Sequence, residues 1–228
     1  MTSIRSFGSL ICLSVLLTPL TYAQDLASYR SFQFGMSLVS AAKQTGMKPS
    51  EAKMLHQRPA LIQELWWTGF LGRSLSQTDP VRNIVFGFYN DKLFRIVITY
   101  DPHRTEGLTN DDMVEAISAE YGAATSPMAT IIVFSSTEVY NDSERVLARW
   151  EDAQYSFNLF RYNYQPTFGM VAFSKPLDSL AQAAIMEAFR LDKEEAPQRE
   201  LERQEKENAE NRMVQEKARA INKATIRP

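Results

Sequence analysis

The sequence predicts an α+β fold: an antiparallel β-sheet with helices packed on one face, built as two similar helix-plus-meander units. Three observations carry this prediction. Val81 to Tyr100 (VRNIVFGFYNDKLFRIVITY) alternates with a period of two, and Ile84, Phe86, Phe88, Phe94, Ile96, Ile98 and Tyr100 form one strongly apolar set. Thr109 to Gly122 has the start, stripe and stop of an amphipathic helix. Finally, the two halves repeat one order of elements. Each opens Gly-apolar-Ser/Thr (Gly35-Met36-Ser37 and Gly107-Leu108-Thr109), runs a helix to a glycine, and continues into strands.

In chain order, residues 1–23 have the pattern of a secretory leader. Arg5 is its one charge, Leu10 to Leu17 is a short apolar run, and Thr21-Tyr22-Ala23 ends on a small residue before Gln24. The run is too short to span a membrane, so no stable membrane anchor is expected after cleavage. Ile11 before Cys12 is not the small residue that a lipidation signal wants. Cleavage after Ala23 leaves 205 residues without cysteine, with 24 basic and 27 acidic side chains. Such a chain has no disulfide, thiolate nucleophile or thiolate metal site. It has no basic excess for phosphate backbones, so nucleic acid is not an expected partner. The expected location is periplasmic or secreted.

The first unit is assigned to residues 24–105. Ser37 caps a helix that places Leu38, Ala41, Ala42 and Thr45 on one face and stops at Gly46. A second short helical piece is expected from Glu51 to Gln57, capped by Ser50, and a strand from Ala60 to Trp67. The central hairpin follows a loop from Thr68 to Pro80. A one-residue slip inverts every side chain of a strand, so both apolar sets share a face only across an odd loop. A three-residue loop, Asn90 to Lys92, would pair Phe88 with Phe94 and Phe86 with Ile96.

The second unit covers residues 106–190. Thr109 and Asp112 have capping-box spacing, Leu108 and Met113 that of a hydrophobic staple, and Met113, Val114, Ile117 and Tyr121 form the buried stripe. Strands are expected at Thr130 to Phe134, at Val146-Ala148-Trp150, at Tyr155-Phe157-Leu159 and at Phe168 to Phe173. Leu177, Leu180, Ala181, Ala184, Ile185 and Ala188 then recur at helical spacing. Residues 191–228 form a charged tail, helical or disordered, in which Leu201, Met213, Val214 and Ile221 are too sparse for a coiled-coil seam.

The Gly-Met-Ser start, the short helix ending at Gly46 and the following meander resemble the repeat of the small outer-membrane lipoproteins called SmpA/OmlA. The doubling is similar to the β-lactamase inhibitor protein fold. The chain departs from the former in lacking a lipobox and from the latter in having no cysteine after residue 23. The resemblance implies a non-catalytic envelope or secreted binding module, and it transfers no site residue.

Candidate chemistry is sparse. Ser40-Ala41-Ala42-Lys43 and Ser50-Glu51-Ala52-Lys53 match Ser-x-x-Lys, but the Lys-Thr-Gly and Ser-Asp-Asn partners of penicillin-recognising enzymes do not occur. Asp101 could orient His103 as a base, yet no activated nucleophile is adjacent in sequence; His56 sits in a Gln/Arg/Pro context. No metal or nucleotide motif is found, so no cofactor and no catalytic role are expected. What remains is aromatic. Phe160, Tyr162 and Tyr164 lie on the parity opposite to Tyr155, Phe157 and Leu159, and Trp66 and Trp67 point to opposite faces of their strand. Trp67, Phe160, Tyr162 and Tyr164 are therefore the candidate anchors for an envelope protein partner recognised through an aromatic sheet face. A small-molecule or lipid-binding pocket between helices and sheet is the alternative.

Overall fold

The structure is a computed structural model that describes residues 25–68, 79–132, 143–163 and 167–225. The segment expected to be a leader, Tyr140-Asn141-Asp142, Tyr164 and most of the loop before the central hairpin lie outside the described residues. A two-residue pair of strands, β1 (Ser28–Tyr29) and β2 (Phe32–Gln33), precedes helix α1 (Leu38–Thr45). Strands β3 (Lys53–His56), β4 (Ile62–Thr68), β5 (Val81–Tyr89) and β6 (Lys92–Tyr100) follow. Next come helix α2 (Asn110–Tyr121) and strands β7 (Thr130–Ile132), β8 (Ser143–Glu151), β9 (Tyr155–Arg161) and β10 (Phe168–Ser174). Helix α3 (Lys175–Thr225) closes the chain. The strands form one eight-stranded sheet in the order β3-β4-β5-β6-β10-β9-β8-β7, with antiparallel neighbours throughout. Each half is a helix followed by four strands in sequence order, and the two meanders meet where β6 pairs with β10.

The helix ends follow their local chemistry. The Ser37 hydroxyl accepts from the Ser40 N–H at 3.2 Å, and Gly46 stops α1 at φ +67°. Thr109 and Asp112 form the reciprocal capping box at the start of α2. The bonds from Thr109 hold the Asp112 carboxyl below its ordinary range. The segment read as a second helix is instead one 3₁₀ turn (Pro49–Glu51) followed by edge strand β3. Pro49 starts the turn, and the antiparallel pairing of Lys53 and Met54 with Glu64 and Gln63 outweighs a helical propensity too short to nucleate alone.

The central hairpin reaches the expected result by another route. Its turn is two residues, Asn90 and Asp91, both left-handed (φ +45° and +63°), so the missing glycine is supplied by the two residue types that best tolerate this region. The register then slips by one: Phe86 faces Ile96 as expected, but Phe88 faces Leu93, and Phe94 is the extra residue of a bulge. A second bulge at Leu147 puts Val146 opposite Phe160, on the face away from Ala148 and Trp150.

One face of the sheet carries the main core. Phe86, Phe88, Ile96, Ile98, Trp150 and Phe157 meet Leu38, Ala41 and Ala42 of α1 and Met113, Ile117 and Tyr121 of α2 there. These two helices are the expected helical layer. The first turns of α3 add a layer on the opposite face, where Phe94 and Ile62 pack against Ala181 and Ile185. Within that second layer Arg95 Nε and Nη2 both bond Asp178 Oδ1, at 2.8 and 2.7 Å, with both side chains nearly buried. Burial pushes the Asp178 carboxyl up, and the Arg95 charge opposes it.

Beyond this contact α3 continues as a single helix through Pro197 to Thr225, so the charged tail is helical, and residues 196–225 are all exposed. Arg199 reaches back across the proline to the Asp192 carbonyl and carboxylate at 3.0 and 2.9 Å. Arg190 bonds Glu187 and Glu194, and Arg203 bonds Glu200 and Glu207, at the three- and four-residue spacings that support a lone helix.

Asp178→Ala leaves the Arg95 guanidinium without its carboxylate, and urea denaturation should show a loss of about 3–5 kcal/mol. Arg203→Ala, on the solvent-exposed part of the same helix, should leave the midpoint of the sheet domain unchanged.

Candidate functional site

Of the predicted aromatic anchors, Trp67, Phe160 and Tyr162 are within the described residues, and these three do not form an open sheet face. Phe160 is fully buried. Its ring lies over Gly169 of β10, where an added Cβ would sit 2.3 Å from Phe160 Cζ. The ring thus fills the space that the glycine leaves on the sheet surface and is no longer available to a partner. Tyr162 is half-buried, edge-on to Phe160 at 5.0 Å, with its hydroxyl 3.3 Å from Thr99 Oγ1. Trp67 is also half-buried and packs against the main core, its buried indole N–H without a partner among the described residues. The opposite orientation of the two tryptophans holds, but the exposed one is Trp66, whose Nε1–H donates to Glu64 Oε2 at 3.0 Å. Burial raises the Glu64 carboxyl above its ordinary range, with the Trp66 bond working against that shift.

The histidines are separately occupied. Asp101 Oδ1 accepts the backbone N–H of His103 at 2.8 Å, so this carboxylate shapes a turn. His56 packs edge-on against Phe189 at 5.3 Å. Among the described residues no group of three or more His, Cys, Asp or Glu could hold a metal ion. No helix among them is long and apolar enough to cross a membrane.

What the fold does assemble is a cleft of about 290 Å³ between α2 and the main-core face of the sheet. Three tyrosines line it, and each is the last residue of its element: Tyr29 of β1, Tyr100 of β6 and Tyr121 of α2. An apolar stripe that ends on tyrosine can bury its ring in the core and leave its hydroxyl at the rim. Leu108, Met113, Ile117 and Met170 supply apolar walls, and Arg30, Arg104 and Glu120 supply charge.

Arg30 is committed within the fold. It takes a left-handed conformation (φ +54°) in the tight β1–β2 turn and forks onto Asp79 at 2.8 and 2.9 Å. Its guanidinium also lies 5.4 Å from the centre of the Tyr29 ring. Burial alone would raise the Asp79 carboxyl, but bonds from Arg30 and from the Val81 N–H outweigh it and hold the group below its usual range. This latch ties the first hairpin to the start of β5 beside the cleft. Arg104 differs: it is exposed, and among the described residues it has no ion-pair partner.

Burial pushes the Tyr29 phenol up to about 12, with Arg30 partly offsetting it. Burial raises Tyr100 and Tyr121 still further; the charge of Tyr29 adds to the first and that of Glu120 to the second. All three are therefore neutral hydroxyls across the physiological range. Three phenols, the Arg104 guanidinium and an apolar floor thus line one cleft. An α+β sheet with a tyrosine-lined cleft under one helix is the class that fold and geometry define. No protein-family profile, curated protein or solved structure matches the chain.

The sequence pattern does not reveal the cleft, because Tyr100 and Tyr121 read as core positions and nothing in the sequence places Arg104 beside them. The legible signal was positional: tyrosine at the ends of apolar stripes.

Two predictions follow from this geometry. Gly169→Ala should destabilise the fold by about 1–3 kcal/mol in denaturant melts, because the Cβ overlaps the Phe160 ring. Because the folded state raises these phenols, their stabilisation is complete below pH 10 and is lost as pH rises through the folded values. Absorbance titration of phenolate should show three of the nine tyrosines ionising late. The Tyr29→Phe, Tyr100→Phe and Tyr121→Phe variants should each remove one of them.

Proposed function

We propose that this protein is a non-catalytic binding module of the periplasm or secreted space that holds a small amphipathic carboxylic acid in the tyrosine cleft. One observation carries the reading. Arg104 stands without an ion-pair partner among the described residues at the rim of an apolar, tyrosine-lined cleft. A guanidinium offers a carboxylate two parallel donors, and apolar walls with a few convergent polar groups are the usual make-up of small-ligand sites. A volume of about 290 Å³ suits a single aromatic ring or a short acyl chain, and a full-length lipid would not fit. Export is supported by the leader pattern of residues 1–23 and by a remaining chain without cysteine. The doubled helix-and-meander order is in keeping with kinship to the SmpA/OmlA repeat, which we propose as its origin.

Recognition of an envelope protein through the sheet is the second reading. Among its anchors Phe160 is buried and Tyr162 and Trp67 are half-buried, which leaves it little accessible ring area.

The test is calorimetric titration with a panel of aromatic and short-chain carboxylates and their amides. At least one acid should bind and its amide should not. Arg104→Ala should weaken binding at least about tenfold, in the range of a lost charged hydrogen bond. Filling the floor with Met113→Trp should abolish it. Binding that is indifferent to both changes, or no binding across the panel, would overturn the proposal.

A further inference from the structure

We infer that the projecting half of α3 pairs head to tail with the same segment of a second copy of this chain. Residues 196–225 form 30 consecutive exposed positions of one helix, about 45 Å long at 1.5 Å per residue. The charge of this arm is divided along its length. Residues 200–210 hold five acidic and two basic side chains, whereas residues 211–225 hold one acidic and four basic, giving equal and opposite net charges of −3 and +3. Two arms side by side in the same direction would set like halves together. Two arms in opposite directions set each acidic half against the other's basic half, so the chain carries both sides of a self-complementary surface with two-fold symmetry.

The apolar residues are placed to contribute. Met213, Ala220 and Ala224 recur at helical spacing on the basic half, and Met213 is 69% exposed. In the head-to-tail arrangement they face the long methylene stems of glutamates, Gln204 and Lys206 from the acidic half of the other copy. The geometry leaves room for this. The first turns of α3 are held on the sheet by Asp178, Ala181, Ile185 and Ala188, so the two folded bodies would sit at opposite ends of the paired arms.

The measurement is the mass of the full chain by sedimentation or light scattering. The wild-type chain should be dimeric at about 0.05 M salt and monomeric at about 1 M, where screening shortens to about 3 Å. A variant with Arg212→Glu, Arg219→Glu and Lys223→Glu has two acidic halves and should be monomeric at low salt. A variant with Glu200→Lys, Glu202→Lys and Glu207→Lys has two basic halves and should also be monomeric. Mixing the two should restore the dimer, a rescue that loss of helix in either variant could not produce. Orientation is read by disulfide formation on a Cys12→Ser background. Chains carrying Glu200→Cys should cross-link to chains carrying Ile221→Cys and not to one another. A monomer at every salt concentration, with helicity intact by circular dichroism, would overturn the inference and leave the arm a lone spacer. So would a dimer that survives both triple variants, or association of the basic half with anionic vesicles in place of a second copy.

Discussion

A single extra residue, Phe94, governs how this molecule divides its side chains between two faces. A two-residue turn at Asn90-Asp91 would by itself set Phe88 and Ile96 on opposite sides of the sheet. The bulge restores the parity, so Phe86, Phe88, Leu93 and Ile96 all enter the core under α1 and α2. The skipped ring turns to the other face, where it meets α3. Gly87 makes this possible: a Cβ there would lie 3.1 Å from the Phe94 ring. Arg95 is left facing α3 as well, in reach of Asp178. The turn itself is equally used. Asp91 Oδ1 accepts the first helical N–H of α1, from Leu38, at 2.9 Å. Asn90 exchanges two bonds with Leu61 at the mouth of β4. Leu93 exchanges two more with the Gly35-Met36 segment. Helix α1, strand β4 and helix α3 are all registered by one hairpin.

Much of this architecture is legible in the residues, and the reasons are local. Caps such as Ser37 and Thr109 act within one turn of helix, so their signal survives without knowledge of the fold. Alternation in β5 and β6 reports the core face directly, whereas β9 and β10 are buried on both faces. The misread elements depend on strand pairing and not on their own residues. Residues 51–57 contain nothing that opposes a helix except the strand that pairs with them. A bulge is likewise invisible to parity counting, because the sequence states the alternation and not which residue is skipped. The arm of α3 continues past Pro197, and Arg199 bonds back across the proline to the Asp192 carbonyl, seven residues before it.

The candidate site illustrates the same limit in chemical terms. An aromatic residue on the parity opposite the core need not be exposed when a neighbouring strand carries glycine. Phe160 occupies the hollow above Gly169, and the pair is a packing unit. The tyrosines of the cleft, by contrast, belong to the core by pattern, and only their placement at three element ends brings their hydroxyls together. Arg30 and Asp79, 49 positions apart, fasten the first hairpin beside them. The cleft is a product of where elements stop.

Helix α3 spans two regimes of stability within one continuous backbone. Its first turns are clamped between a buried ion pair and an apolar cluster, and their amides can exchange with solvent only when the sheet domain opens. In a single copy the later turns depend on propensity and surface pairs, and open more readily than the first turns. Protection against deuterium should therefore fall steeply along the helix near the proline. A protease acting on the native protein would trim the arm first and leave the eight-stranded body whole.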